Sequence, residues 1–142
     1  MNQAPKKQVL ILCTANSCRS QMAEGIARQL YGTQIDVYSA GSKPSHVNPI
    51  AIEVMGEIGI DISHQRSNSV TEFDGKPIDL VITVCDQAKE SCPLFLGSAK
   101  QVHWSFSDPA DATGSEEEIK EAFRKVRDEI KSTFERLLRH LI

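Results

Sequence analysis

A chain of 142 residues, 40% hydrophobic and 25% charged, has the make-up of one globular domain (1–142) with a sizeable core. Its net charge of −3, with no long basic run, argues against a phosphate-backbone partner, so no nucleic acid is expected. No apolar stretch approaches a membrane span and residues 1–7 are polar, which predicts a cytoplasmic protein with no membrane contact.

Residues 9–13 form a continuous apolar run ending in Cys13, the pattern of a parallel strand covered on both faces. Thr14, Ala15, Asn16, Ser17 and Cys18 follow, and Arg19 and Ser20 open a predicted helix. This is a C-x5-R-S anion loop. Backbone N–H groups of such a loop converge with the helix N-terminus on one point and favour negative charge there. Arg19 adds a bidentate clamp suited to a tetrahedral oxyanion. The same positive field favours the Cys13 thiolate near neutral pH, and Ser20 is placed to donate a hydrogen bond to it. The bland readings are a small buried hydrophobe for Cys13, a helix cap for Ser20 and a surface ion pair for Arg19. They account poorly for a match at a strand–loop–helix junction. Cys18 reads as a packing residue.

After the loop, Met22, Ala23, Ile26, Ala27 and Leu30 recur at helical spacing and Gly32 ends the helix. Residues 35–39 make a second strand, closed by Gly41. Asn48-Pro49 opens a helix whose apolar face is Ile50, Ala51, Val54, Met55 and Ile58. Residues 60–78 carry the least pattern, although Ser69-Val70-Thr71-Glu72 has a capping box and predicts a short helix. Residues 79–85 form a third buried strand and residues 100–104 a fourth, followed by the turn-rich Ser105-Phe106-Ser107-Asp108-Pro109. Ser115 with Glu118 makes a second capping box. Ile119, Phe123, Val126, Ile130, Phe134, Leu137 and Leu141 then line one face of a long last helix.

Strands alternating with helices predict an α/β fold, a four-stranded parallel sheet with helices on both faces. The order 2-1-3-4 sets the Cys13 and Cys85 strands side by side. Ligands in such sheets sit beyond the strand C-termini. Cys13, Ser39-Ala40-Gly41, Cys85 and Asp108 all fall at or after strand ends and are expected on one rim.

Cys13 to Glu24 (CTANSCRSQMAE), Ser39-Ala40-Gly41, Cys85 and Cys92 with Pro93, and Asp108-Pro109-Ala110 together resemble the thioredoxin-coupled arsenate reductases. These share the fold of the low-molecular-weight protein tyrosine phosphatases. The resemblance covers nearly the whole chain. It implies a monomeric enzyme that reduces arsenate to arsenite, binds phosphate and sulfate as competing oxyanions, and is reset by thioredoxin. Cys13 is then the nucleophile, Cys85 and Cys92 the relay thiols, and residues Thr14 through Ser20 the oxyanion cradle. Asp108 falls where the phosphatases place their general acid and is expected to handle protons.

The chemistry agrees with that count of thiols. Reducing As(V) to As(III) takes two electrons, and two thiols becoming one disulfide supply two. A third thiol lets the disulfide migrate away from the anion pocket. Were the segment between Cys85 and Cys92 helical, their Cα atoms would lie roughly 10 Å apart. A disulfide tolerates about 4.4–6.8 Å. Oxidation is therefore expected to unwind that segment.

Two departures from the family stand out. Ala15 occupies a position where many relatives have Gly. Asn16, Glu24 and Ser39 match a potassium site found in some relatives, but Asn68, with Arg66 close by, stands where those relatives have an acidic residue. That exchange weighs against potassium, and no cofactor is otherwise required. The rival reading is a low-molecular-weight protein tyrosine phosphatase, disfavoured because Ala110 stands where a substrate-stacking aromatic is expected and because Cys85 and Cys92 would be idle. A zinc module using all four cysteines fits worse, since the x4 and x6 spacings are poor metal knuckles. His46, His64, His103 and His140 are scattered. The relay pair favours thioredoxin over a glutaredoxin–glutathione reductant.

Overall fold

The computed structural model describes residues 5–86, 90, 93, 95 and 97–142. Strands β1 (Lys7–Cys13), β2 (Ile35–Gly41), β3 (Leu80–Thr83) and β4 (Lys100–His103) form one sheet in the order β2-β1-β3-β4, and every neighbouring pair is parallel. This is the order expected from the alternation of elements. β3 is shorter than the predicted 79–85, yet the ladder runs on through Asp79 N–H to Gln8 O and Val84 N–H to Leu12 O. Its extension sets Cys85 one residue past the level of Cys13.

The α-helices are α1 (Arg19–Tyr31), α2 (Pro49–Glu57) and α3 (Glu116–Leu137). β1 alternates its side chains between two cores. Val9, Ile11 and Cys13 face residues of all three helices, while Leu10 and Leu12 face Phe73, Ile78, Val81 and Phe95. Helical structure thus lies on both faces, but among the described residues one face carries only the 3-10 turn Val70–Phe73. The expected caps are in place: Ser69 with Glu72, Asn48 accepting from Ile50 N–H, and Ser115 with Glu118.

On α3 the buried stripe is Phe123, Val126, Ile130, Phe134 and Leu138. Leu137, expected on that face, is only half-buried. The α-helix ends there, and Leu138, four residues after Phe134, continues the stripe into a 3-10 turn. Each fully buried side chain contributes about 1.5–3 kcal/mol. An exposed ion pair such as Lys131–Glu135 adds about 0–1 kcal/mol, so burial holds α3 in place. No helix among the described residues is long and apolar enough to cross a membrane.

Gly41 ends β2 opposite Cys13. A Cβ there would fall inside van der Waals contact of Thr14 O and 2.9 Å from Asn16 N, both backbone atoms of the anion loop. Gly41→Ala is therefore expected to cost about 1–3 kcal/mol of stability. Because it must push the loop aside, oxyanion affinity should fall as well. Unchanged melting and oxyanion binding in that variant would show that the loop gives way freely.

Candidate active site

The loop between β1 and α1 is built as the spacing predicts, and its frame is a polar network that pins each donor's direction. Asn16 is buried and takes a left-handed backbone conformation (φ 49°), which asparagine tolerates better than most residues. It is the only such non-glycine among the described residues, so Ala15 needs no glycine-like conformation despite standing where relatives have Gly. The Asn68 N–H donates to Asn16 Oδ1 at 2.7 Å, and a backbone N–H can only donate. Asn16 Nδ2 must then be the donor to Ser20 Oγ (2.7 Å) and Ser39 Oγ (2.9 Å). The Ser20 hydroxyl accepts from Asn16 and shares a hydrogen bond with Cys13 Sγ, 2.8 Å away, in which Ser20 is the donor when the sulfur is a thiolate. The Asn16 N–H also points at that sulfur, at 3.2 Å. Two donors thus converge on Cys13, a free and nearly fully buried thiol.

Residues 41–48 and 65–69 clamp the loop from outside. Lys43 N–H donates to Thr14 O, Ser45 N–H to Ala15 O, and Asn48 N–H to Ser17 O. Ser67 Oγ donates to Ala15 O, while Gln21 Nε2 bridges Asn16 O and Arg66 O. Cys18 sits at the N-cap of α1 without a side-chain capping bond.

Arg19 is buried, and its guanidinium grips the Glu90 carboxylate with both ends: Nη1 to Oε2 at 2.8 Å and Nη2 to Oε1 at 2.9 Å. Nη1 also donates to Phe106 O, which anchors the fork. Asp108 Oδ2 lies 3.5 Å from Nη2, while Oδ1 accepts from Ala110 N–H at the start of a 3-10 turn, Pro109–Asp111. Asp108 and Glu90, with Thr14, Ala15, Asp86, Ser107 and Asp111, line a cavity of about 380 Å³ at the sheet's C-terminal rim. No aromatic side chain among the described residues lines it. A larger groove of about 1040 Å³ between Ser105, Phe106 and α3 carries no cysteine and lies apart from the anion loop.

Cys85 is fully buried and disulfide-bonded, and packs in the same core cluster as Cys13. Cys92 lies outside the described residues. Asp86 and Glu90 belong to no helix. Burial pushes the Cys18 thiol up to about 12, aided by Asp108 and opposed by the Ser17 hydroxyl. At pH 7 its thiolate is then scarce, on the order of one part in 10⁵. In the fully reduced protein iodoacetamide is expected to label Cys13 well ahead of Cys18, and phosphate should slow the labelling of Cys13. Equal labelling of the two at pH 7 would contradict their assigned environments.

The residues matched to a potassium site do come together, but as mutual hydrogen-bond partners. Asn16 presents Nδ2 to Ser39, Ser39 Oγ donates to Glu24 Oε1 at 2.5 Å, and Arg28 pairs with Glu24 Oε2 at 2.7 Å. The cation beside Glu24 is thus Arg28. Arg66 contributes its carbonyl oxygen to Gln21 and Asn68. A donor amide and an occupied carboxylate do not fit an oxygen cage for potassium. Among the described residues no cluster of His, Cys, Asp and Glu could hold a metal.

Sequence reasoning missed Glu90, Gln21 and the clamp at 65–69. Glu90 lies inside the segment singled out for its cysteines, and nothing in the local pattern marks it. Gln21 had a weak signal, a polar residue buried one position after the C-x5-R-S run.

The fold and this loop decide the family. A model of the low molecular weight phosphotyrosine protein phosphatase family matches residues 8–142. The chain belongs to that family. Within it, the chain is 50% identical over 125 residues to the arsenate reductase of Halalkalibacterium halodurans, covering 88% of this chain and 90% of that one. A solved arsenate reductase in the oxidized state superposes with a TM-score of 0.80 at 35% identity, over 96% of this chain and 99% of that one. One in the phosphate-binding state gives 0.73 at 34% identity, with the same coverage. A thioredoxin-dependent arsenate reductase of Corynebacterium glutamicum gives 0.68 at 25% identity, over 96% of this chain and 64% of that one.

Proposed function

We propose that this family member reduces arsenate to arsenite using its own thiols and is reset by thioredoxin. The observation that carries this reading is the pairing of a free Cys13, held by two hydrogen-bond donors beside Arg19, with a disulfide-bonded Cys85 on the adjacent strand. In the proposed cycle the Cys13 thiolate attacks As(V) and displaces one oxygen ligand as water. The Cys85 thiolate then attacks Cys13 Sγ. As the S–S bond forms, the S–As bond breaks, and its electron pair stays on arsenic, which leaves as arsenite. Cys92 attacks Cys85 to give Cys85–Cys92 and frees Cys13 for the next turn. A dithiol reductant of the thioredoxin class exchanges with that disulfide and returns both thiols.

Free Cys13 and Cys18 with a bonded Cys85 fit the end of that cycle. The buried position of Cys85 shields its own sulfur from attack by an external thiolate. The named thioredoxin dependence of the Corynebacterium relative supports the choice of reductant. Asp108, at 3.5 Å from Arg19, is the proton carrier for the departing oxygen. Neither potassium nor another cofactor has a step, since Arg28 already supplies a cation to Glu24. The protein acts as a cytoplasmic monomer, with phosphate and sulfate competing for the cradle.

Asp108 beside Arg19 also suits phosphomonoester hydrolysis, the chemistry named by the family. A cavity with no aromatic among the described residues that line it gives an aryl phosphate ring nothing to stack on. The deciding experiment measures arsenate-dependent NADPH oxidation in a thioredoxin and thioredoxin reductase mixture, with p-nitrophenyl phosphate hydrolysis in parallel. Arsenate-dependent oxidation with negligible hydrolysis is expected. The opposite result makes the protein a phosphatase.

A further inference from the structure

The side-chain donors of the oxyanion site, Arg19 and Thr14, hold a ligand supplied by the chain itself. The Glu90 carboxylate takes both ends of the Arg19 guanidinium, the Thr14 hydroxyl at 2.6 Å and the Asp86 N–H at 3.3 Å. A guanidinium fork, a hydroxyl and a backbone N–H are the donors that a tetrahedral oxyanion seeks. The Glu90 N–H also donates to Asp86 O at 3.0 Å, tying the residue to the stretch that begins at the bonded Cys85.

We propose that Glu90 is an internal carboxylate ligand of the oxyanion site, seated while Cys85 is in its disulfide and displaced when Cys85 is reduced. An oxyanion must compete with Glu90 for this seat, because both Nη atoms of Arg19 and the Thr14 hydroxyl already donate to Glu90, and Asp108 Oδ2 adds further negative charge 3.5 Å from Nη2. Burial by itself pushes the Glu90 carboxyl up, but the bonds from Arg19 and Thr14 outweigh it and hold the group below the usual carboxylate range, so the ligand is anionic at neutral pH. It also compensates a guanidinium that is only 4% exposed and costly to leave unpaired.

The coupling to oxidation state follows from sequence distance and from the proposed cycle on which this inference rests. Glu90 lies five positions after Cys85. A free Cys85 thiol must act on Cys13 while an oxyanion occupies the cradle, so Glu90 has to be elsewhere in that state. The oxidized enzyme is thereby closed to arsenate and to abundant phosphate until it is reset. Linkage makes the effect reciprocal: an oxyanion that prefers the reduced form also favours reduction of the disulfide.

The test titrates inorganic phosphate into the full chain, oxidized at Cys85 and fully reduced, for wild type, Glu90→Gln and Glu90→Ala. For the wild type the oxidized form is expected to bind phosphate about tenfold or more weakly than the reduced form. Both variants should bring the ratio of the two dissociation constants near one by strengthening binding to the oxidized form. Saturating phosphate should raise the wild-type disulfide potential by about 30 mV for each tenfold difference, and leave both variants unmoved. A wild-type ratio near one, or variants that keep the wild-type ratio, overturns the inference and leaves the arsenate reductase reading standing. No phosphate binding by reduced wild type would instead sink the oxyanion reading, and this inference with it.

Discussion

Cys13→Ser is expected to abolish arsenate turnover, a loss on the order of 10⁴-fold or more. Two steps of the proposed cycle fail together. Neither group at Sγ is a general base: the Asn16 N–H can only donate, and the Ser20 hydroxyl is a very weak base. They stabilise a preformed anion and do not remove the proton from a serine hydroxyl. An oxygen also cannot enter the disulfide that collects the two electrons from arsenic. The fold should tolerate the change, since serine is close in size to cysteine and keeps both hydrogen-bond contacts. Phosphate binding by the reduced variant should therefore persist while arsenate-dependent NADPH oxidation falls to background. Residual multiple turnover would remove Cys13 from the mechanism.

Arg19→Lys should lower kcat/KM by about 10²- to 10³-fold, the loss of at least one charge-assisted hydrogen bond together with the fixed fork. The Glu90 carboxylate shows what the site demands: two oxygens meeting two nitrogens at 2.8 and 2.9 Å, with Phe106 O holding Nη1 from behind. A lysine ammonium keeps the charge but is a single point of donors, so it cannot hold two oxygens in one plane. Phosphate should protect Cys13 from alkylation far less in this variant. Near-native kinetics would assign Arg19 to packing alone.

The sheet, its order and the anion loop were legible in the sequence because they rest on local physics. A short apolar run such as residues 9–13, too short for a buried helix, fits a strand covered on both faces, and short capping signals at Asn48, Ser69 and Ser115 place helix starts within a turn. The C-x5-R-S spacing carries its own chemistry, since a strand, a tight loop and a helix N-terminus bring the thiol and guanidinium to one point. Strand alternation also set Cys13 and Cys85 on neighbouring strands.

Only the tertiary structure decided what holds that loop and what fills it. Residues 65–69 lacked periodicity because they satisfy hydrogen bonds of a distant loop instead of burying a face, and Asn68 orients Asn16 across 52 positions. Leu138 replaced Leu137 on the core stripe where α3 tightens into a 3-10 turn. The cation beside Glu24 is Arg28, one helical turn along α1, a pairing that the i,i+4 spacing on the predicted helix already offered. Glu90 is the sharpest case. It is 71 positions from Arg19 and reads as an ordinary charged residue, yet the fold presses it against a buried guanidinium that requires an anion. Long-range pairing of charges depends on the closed chain, whereas periodicity and spacing do not.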